Sequence, residues 1–471
     1  MQKRIISGIL ALALVLTLTL TLTLAQADVR VELDGIDGGS ASVTASADDS
    51  AALLEGYLYQ VNGLDVPEVV KAESSGNTAS RPATYAVALN EAAKSVYDKL
   101  VPEIKAIANG ERASSIVEVE GLNITYYKSD LGLDKLVTGN SFSNEAQAKI
   151  KQMFTADVSA DALLTSLIAH LPYELYWFDK TNGIQMSYRM TGTDEYVTII
   201  SVEVTFHVSQ DYAVIEGDSY YPTVPDTAKT GAAKTAAATA AQVVAENQGK
   251  GAYSKLVAYR EYITNAVDYN FGAAYTANYP YGDPWQLIYV FDGDPNTNVV
   301  CEGYSKAFKY LCDLTWTDSD PEVACYLPTG TMDGGDHMWN IVSIGGVNYL
   351  TDITNCDSGL DDEGNQIQMI GYPDQLFLCG AEGSVDASYA AATTNGTVTY
   401  VYDKETLALY DKELDLSATK YSPLAFDLNQ LTELARYAAG ITTDKADYFD
   451  VNNDGIISAA DLTAMAQSLV S

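Results

Sequence analysis

The hydrophobic residues of this chain recur with two different periods, and each period predicts one kind of element. Spacings of three and four residues are typical of a helix with one buried face, whereas strict alternation is typical of a half-buried strand. Helices are predicted over residues 90–108, 143–154, 160–170 and 253–269. The alanine-rich stretch 227–248 is predicted to be a helix because of its high helix propensity, with a linker as the alternative. Strands are predicted within 28–46 and over 197–208, 397–402 and 406–409. The pattern therefore predicts an α+β protein.

One stretch, residues 299–354, combines a predicted helix with a predicted hairpin. Apolar residues at helical spacing follow Cys301, beginning with Tyr304, Ala307 and Phe308, which places Cys301 near a helix N-terminus. Free backbone N–H groups and the positive end of the helix dipole favour a thiolate at that position.

The hairpin prediction is based on Gly345-Gly346, a two-residue turn between two apolar runs. Such a turn would pair Trp339 with Asp352 and place His337 on the same face of the sheet, diagonal to Asp352. Diagonal neighbours lie about 7–8 Å apart at their backbones, within reach of a hydrogen bond between the two side chains. A cysteine, a histidine and an aspartate in this order indicate a nucleophile, a base and a group that orients the base.

These three sites lie in motifs that resemble the core of the transglutaminase-like superfamily. The motifs read CEGYSKAF from Cys301, HMWN from His337 and DIT from Asp352. The resemblance, which covers roughly residues 250–360, implies a papain-like fold in which the catalytic helix packs on an antiparallel sheet. It implies that Cys301 attacks a carbonyl carbon, that His337 transfers the proton and that Asp352 holds the imidazole.

The resemblance also implies a thioester intermediate formed from a protein or peptide substrate. The Cys301 backbone N–H is expected to form part of the oxyanion hole, with Gln286 as a candidate second donor. The intermediate would be resolved by water or by an amine, and hydrolysis is favoured because microbial members of the superfamily are often hydrolytic. His170 and His207 are interpreted as structural, because no nucleophile-bearing motif lies near either of them.

Composition and charge limit the partners and the compartment. The chain has 471 residues and a formal net charge of -36, which argues against nucleic acid or an anionic membrane as a partner. A basic start, an apolar run over 5–24 and Ala25-Gln26-Ala27 predict a cleaved signal peptide and an extracellular location, with cell-surface or cellulosome attachment as options. The predicted domains are a signal peptide at 1–27, an α+β N-terminal domain at 28–225, a catalytic domain at 226–416 and a C-terminal module at 417–471.

The chain has five cysteines, an odd number that leaves at least one thiol unpaired in a secreted protein. A free Cys301 agrees with its proposed role as the nucleophile. The other four thiols allow up to two disulfides, or none in an anaerobic setting. No CxxC pair occurs, so the cysteines do not predict a zinc site.

The C-terminal module contains a twelve-residue loop with calcium-ligand spacing. The predicted ligands, all oxygens, are Asp450, Asn452, Asp454, the Ile456 carbonyl, Ser458 and Asp461. Gly455 occupies the sixth position, where the chain must turn sharply, and an aspartate replaces the usual glutamate at the twelfth. The loop and the helix after it resemble a dockerin module, which implies a structural calcium ion and a cohesin domain of a scaffoldin as the partner.

Residues 427–440 resemble the helix of a first dockerin repeat, but the loop before it keeps only Asp427 among acidic ligands. One calcium site is therefore predicted, within a small helical module. A calcium-free acidic turn and a calcium hairpin unrelated to dockerins are the alternatives for this loop. The alternative for the whole chain is a catalytically silent protein- or carbohydrate-binding component of a cohesin–dockerin complex, since its 33 tyrosines offer aromatic faces for sugars.

Overall fold

The structure is a computed structural model that combines helices and sheets, as the α+β prediction requires. It describes residues 29–32, 89–139, 141–180, 182–215, 222–275, 282–316, 323–360, 365–383, 387–410, 414–423, 428–441, 449–451 and 456–468. The predicted signal peptide, Asn452 and Asp454 lie outside these residues. The described chain divides into two units, with the boundary between Lys229 and Thr230.

In the residues that the structure describes, the first unit has a four-stranded antiparallel sheet and three α-helices. Its strands are β1 (Val29–Glu32), β2 (Ile116–Tyr127), β5 (Ile184–Gly192) and β6 (Tyr196–Phe206), in the order β1-β5-β6-β2, and β3 (Val137–Thr138) pairs separately with β4 (Ser141–Phe142). Its helices are α1 (Glu91–Ala108), α2 (Asn144–Asp157) and α3 (Ala160–His170). Asn90, Ser143 and Ser159 cap these helices by accepting a backbone N–H three residues ahead. The predicted helices and the strand over 197–208 are therefore present, with small changes at their ends.

The second unit contains the stretch around Cys301, His337 and Asp352. Its helices are α4 (Gly231–Glu246), α5 (Ala252–Ala266), α6 (Phe271–Tyr275), α7 (Cys301–Thr315), α8 (Lys404–Tyr410), α9 (Leu428–Ala438) and α10 (Ala459–Ser468). Its strands are β7 (Val323–Tyr326), β8 (Thr329–Met332), β9 (Gly335–Met338), β10 (Asn340–Ile344), β11 (Val347–Thr351), β12 (Ser358–Leu360), β13 (Gln366–Gln368), β14 (Glu382–Gly383), β15 (Ser388–Thr393) and β16 (Gly396–Tyr402).

Two antiparallel sheets position the residues of interest. One has the order β11-β10-β7 and the other the order β14-β15-β16-β8-β9. The chain passes from one sheet to the other at Trp339, between β9 and β10. Helix α7 packs against β7, β9 and β10, so it contacts strands of both sheets.

Two predictions for this unit were wrong. Residues 406–409 belong to helix α8, because the Asp403 carboxylate accepts the Thr406 N–H at 2.6 Å and caps a helical turn. Helix α7 was expected to bury one face, but every residue from Cys301 to Lys309 is buried. Its charged residues are paired: Lys306 lies 2.6 Å from Glu302, and Lys309 lies 2.7 Å from Asp313.

The C-terminal helices form a small core of their own. Leu434 of α9 and Met465 of α10 are both fully buried and pack with Phe449 and Val451. Among the residues that the structure describes, no helix is both long enough and apolar enough to cross a membrane.

The Gly330 backbone leaves no room for a side chain in the five-stranded sheet. Gly330 of β8 lies between Tyr402 of β16 and His337 of β9, and a Cβ there would overlap the Val401 carbonyl oxygen. Backbone atoms cannot move aside as a flexible side chain would.

We therefore expect Gly330→Ala to lower the free energy of unfolding of this unit by about 1–3 kcal/mol, as overpacking does. Gly231→Ala is the matched control, because Gly231 begins α4 and a Cβ there meets nothing within 4 Å. Differential scanning calorimetry of both variants checks this, and an unchanged transition in Gly330→Ala would contradict the packing described for β8.

Candidate functional site

Cys301 is the first residue of α7, and the chain before it is fixed by backbone hydrogen bonds. The Val300 N–H donates to the Pro284 carbonyl, and the Val300 carbonyl accepts from Gly303. The first N–H groups of a helix have no intrahelical acceptor, so they are available to an anion near Cys301. Gln286, the candidate second donor, is buried. It lies two residues after Pro284, whose carbonyl is hydrogen-bonded to Val300 at the start of α7.

Two polar residues of the sequence motifs join α7 to the strands that carry His337. The Ser305 hydroxyl donates to the Met338 carbonyl at 2.9 Å. The Asn340 amide donates to the Ser305 carbonyl at 3.0 Å and to the Tyr326 carbonyl at 3.3 Å. All of these residues are buried, so the hydrogen bonds fix the helix relative to both sheets.

The glycine and tyrosine of the CEGY motif also have structural roles. A Cβ at Gly303 would lie 2.5 Å from the Cβ of Val299, so only glycine allows the chain to approach the helix this closely. The Tyr304 hydroxyl donates to Asp357 at 2.6 Å. Burial raises the pKa of Asp357 to about 7, although this hydrogen bond opposes the rise.

His337 and Asp352 form the predicted hydrogen bond, but by a different route. The hairpin register is as predicted, with Ile344 opposite Val347. His337, however, lies on β9 and pairs with Gly330 of the five-stranded sheet, so it is not a diagonal neighbour of Asp352 within one sheet. The change of sheet at Trp339 instead brings the imidazole from one sheet to the end of the other, where its Nε2 lies 2.8 Å from Asp352 Oδ2.

The pair is withdrawn from solvent, with side-chain exposures of 1% for His337 and 0% for Asp352. Burial alone would lower the pKa of His337, but the charge and hydrogen bond of Asp352, with a smaller contribution from Cys301, raise it to about 10. Burial raises the pKa of Asp352, yet His337 and further hydrogen bonds bring it below its usual value. The pair is therefore best described as an imidazolium and a carboxylate.

Cys301 is the second residue that influences the imidazole. The proximity of its thiol raises the pKa of the His337 ring. Because Nε2 is engaged by Asp352, Nδ1 is the nitrogen that remains for the thiol. Nδ1 is buried and has no hydrogen-bond partner among the described residues.

Aromatic rings enclose the imidazole. Trp339 stacks on His337 with a centroid distance of 6.0 Å and an interplanar angle of 12°, and Tyr402 stacks on Trp339 at 5.7 Å and 7°. Tyr400 lies against both, at 6.2 Å from His337 and 5.1 Å from Trp339. These rings keep water from the imidazole and restrict its rotation.

Two further residues contact Asp352, and the sequence did not single them out. The Asn355 amide donates to Asp352 Oδ2 at 2.6 Å, and the Tyr400 hydroxyl donates to the same oxygen at 2.7 Å. A polar residue three positions after Asp352 is a signal that could have suggested Asn355. No local pattern links Tyr400 to a residue 48 positions earlier.

The remaining cysteines and histidines occupy other sites. All five thiols, including Cys301, are buried, and none of them is in a disulfide. His170 accepts or donates a hydrogen bond with the Tyr97 hydroxyl at 2.6 Å, and burial lowers the pKa of His207.

Four of the six predicted calcium ligands are described. Asp461 is fully buried, and its two oxygens accept the Val451 N–H at 2.7 Å and the Ser458 N–H at 2.6 Å. The second bond also caps α10, since Ser458 precedes the helix and Asp461 lies in its first turn. These bonds hold the Asp461 carboxylate between Val451 and Ser458. The described residues contain no cluster of three or more acidic, histidine or cysteine side chains suited to a metal ion.

The raised pKa of His337 predicts a pH dependence of stability. The folded state holds a proton on His337 up to about pH 10, whereas the unfolded chain loses it near the ordinary value of about 6.5. The stabilisation is fully present below about pH 6.5 and is lost as the pH rises through about 10. Between these values we expect this group to reduce stability by up to about 1.4 kcal/mol per pH unit.

Calorimetry from pH 6 to 9 measures how stability falls with pH, and the fall should be smaller in His337→Gln by the contribution of His337. The chain has only three histidines, so imidazole NMR resolves them, and the signal lost in His337→Gln assigns His337. A His337 ring that is neutral at pH 8 would contradict the ion pair.

A scan against protein-family models finds none that matches, and a search of curated proteins returns no match.

Proposed function

We propose that this chain is a secreted cysteine enzyme of the transglutaminase-like type, which acts on amide bonds of proteins or peptides. The observation that carries the proposal is the position of His337, which is hydrogen-bonded to the buried Asp352 carboxylate and is close enough to the thiol at the start of α7 for that thiol to raise the pKa of the ring. Three residues far apart in sequence thus meet in the order nucleophile, base and orienting group. The packing of α7 on antiparallel strands agrees with a papain-like core.

The reaction follows from this geometry. The proton of Cys301 passes to His337 Nδ1, and the thiolate attacks the substrate carbonyl to form a tetrahedral intermediate. The Cys301 backbone N–H stabilises the oxyanion, with Gln286 as the candidate second donor. His337 then protonates the leaving amine, which leaves a thioester on Cys301 that water hydrolyses or a second amine attacks. Asp352 stabilises the imidazolium throughout.

The C-terminal helices are proposed to form a dockerin-like module that docks to a cohesin domain. One calcium ion would be held by Asp450, Asn452, Asp454, the Ile456 carbonyl, Ser458 and Asp461. Its role is structural, because it joins loop residues that otherwise repel one another. The small core that connects α9 and α10 supports a separate helical module.

The Cys301–His337 pair predicts an unusual alkylation profile. In the parent protein we expect iodoacetamide to label Cys301 at pH 6 faster than the other four thiols. His337→Ala should reduce labelling at pH 6 by at least about tenfold, because the imidazolium no longer stabilises the thiolate. Mass spectrometry of tryptic peptides reports each cysteine separately.

Activity on casein provides the second measurement. Cys301→Ala should abolish peptide release and amine incorporation, and His337→Ala should reduce them by about 10²–10⁴-fold. Cys312→Ala is the matched control, since Cys312 is buried on the same helix and should leave activity unchanged. Equal labelling of Cys301 and Cys312, with no activity lost in Cys301→Ala, would favour a catalytically silent binding protein. Release without amine incorporation would identify a hydrolase.

Calcium binding tests the C-terminal module. We expect calorimetric titration of the full chain to show one tight calcium ion, which Asp450→Ala abolishes along with calcium-dependent cohesin binding. Asp427→Ala is the control, because the loop before α9 has too few acidic ligands to bind calcium. Two tight ions per chain, or an unchanged titration in Asp450→Ala, would contradict the single site. Cys301 labelling should be the same in both variants.

A further inference from the structure

The Asp352 carboxylate is fully buried, so it depends on protein donors in place of water. Its Oδ2 atom is approached by three donors: His337 Nε2 at 2.8 Å, Asn355 Nδ2 at 2.6 Å and the Tyr400 hydroxyl at 2.7 Å. Its Oδ1 atom accepts the Asn355 backbone N–H at 3.2 Å. Of these donors, His337 has a proposed chemical role, and the other two do not.

Asn355 and Tyr400 differ in what they connect. Asn355 lies three residues after Asp352 and fixes the local turn that follows β11. Tyr400 belongs to β16, which is joined through β8 to β9, the strand of His337. The Tyr400 hydroxyl therefore connects Asp352, at the end of the three-stranded sheet, to the sheet that carries His337.

We propose that Tyr400 is a positioning residue, whose hydroxyl keeps the Asp352 carboxylate ionised and directed at His337 Nε2. An ionised carboxylate only accepts hydrogen bonds, so the Tyr400 hydroxyl donates to it. A donated hydrogen bond stabilises the charged form of Asp352 over its protonated form. The Tyr400 ring packs against Trp339 and His337, which fixes the direction of its hydroxyl. The inference rests on the proposed function in so far as it concerns Cys301, but the Tyr400–Asp352–His337 contact can be tested separately.

The chain offers a closely matched control two residues further along the same strand. Tyr402 is also buried and also packs on Trp339, at 5.7 Å. Its hydroxyl, unlike that of Tyr400, has no hydrogen-bond partner among the described residues. Tyr400→Phe and Tyr402→Phe therefore remove the same atom from similar surroundings, and only the first removes a donor to Asp352.

The first readout is the pH profile of Cys301 alkylation by iodoacetamide between pH 4 and 8. Without the Tyr400 hydroxyl, Asp352 takes up a proton at a higher pH, and neutral Asp352 no longer stabilises the imidazolium. In Tyr400→Phe we expect the fall in the rate of Cys301 labelling at acid pH to begin about one pH unit higher than in the parent. At a given pH within that range, labelling would be slower by up to about tenfold. Tyr402→Phe should follow the parent profile.

The second readout does not depend on Cys301. The His337 Nε2 proton, hydrogen-bonded to Asp352, is observed by NMR as a downfield signal that is assigned by its loss in His337→Gln. This signal should change at a higher pH in Tyr400→Phe than in Tyr402→Phe as Asp352 is protonated. Its presence near neutral pH also shows that each variant is folded around the site.

The outcomes separate the two proposals. Identical alkylation profiles and identical NMR titrations in Tyr400→Phe and Tyr402→Phe would overturn the role of Tyr400. A parent Cys301 that is not labelled below pH 7, together with an NMR shift confined to Tyr400→Phe, would overturn the proposed enzyme function and leave the role of Tyr400 supported.

Discussion

A carboxylate that is withdrawn from water stays ionised only if protein groups replace the water, and Asp352 is such a carboxylate. Its donors come from three parts of the chain: β9 supplies His337, the turn after β11 supplies Asn355 and β16 supplies Tyr400. Two of these strands belong to the five-stranded sheet, whereas Asp352 follows a strand of the other sheet. The charge on Asp352 thus depends on the relative placement of both sheets, and the charge on His337 depends in turn on Asp352.

The position of Cys301 depends on the same two sheets. Ser305 and Asn340 connect α7 to the segment around Trp339, where the chain passes from one sheet to the other. A helix attached to one sheet alone would leave the thiol free to move relative to the imidazole. Because these hydrogen bonds are buried and have no competing water, breaking one of them costs more than it would at the surface. This explains why the motif residues beside Cys301 and His337 are polar although they take no part in the chemistry.

Much of this arrangement could be predicted from local patterns, because local patterns report local structure. The spacing of apolar residues gave helices α1, α2, α3, α5 and α7, and the alanine-rich composition gave α4. The Gly345-Gly346 turn gave the hairpin register. Residues 406–409 were misassigned because a short apolar run has no decisive period, and the deciding signal was the cap at Asp403. The alternation of apolar and polar residues also does not mark where a chain changes sheets, so the change of sheet at Trp339 was missed. Tyr400 was missed because its partner is distant in sequence.

The electrostatics of the pair bear on the order of steps in the proposed reaction. Burial alone favours a neutral imidazole, but Asp352 and Cys301 together outweigh burial and raise the pKa of His337 to about 10, so the ring carries its proton at neutral pH. The Nε2–H bond to Asp352 leaves Nδ1 as the site that exchanges a proton with Cys301. A ring that is already protonated cannot accept a second proton when the substrate arrives. Proton transfer from the thiol must therefore precede attack, and the same proton is then available for the leaving amine. On this reasoning Asp352 fixes the resting protonation state as well as the orientation of the ring.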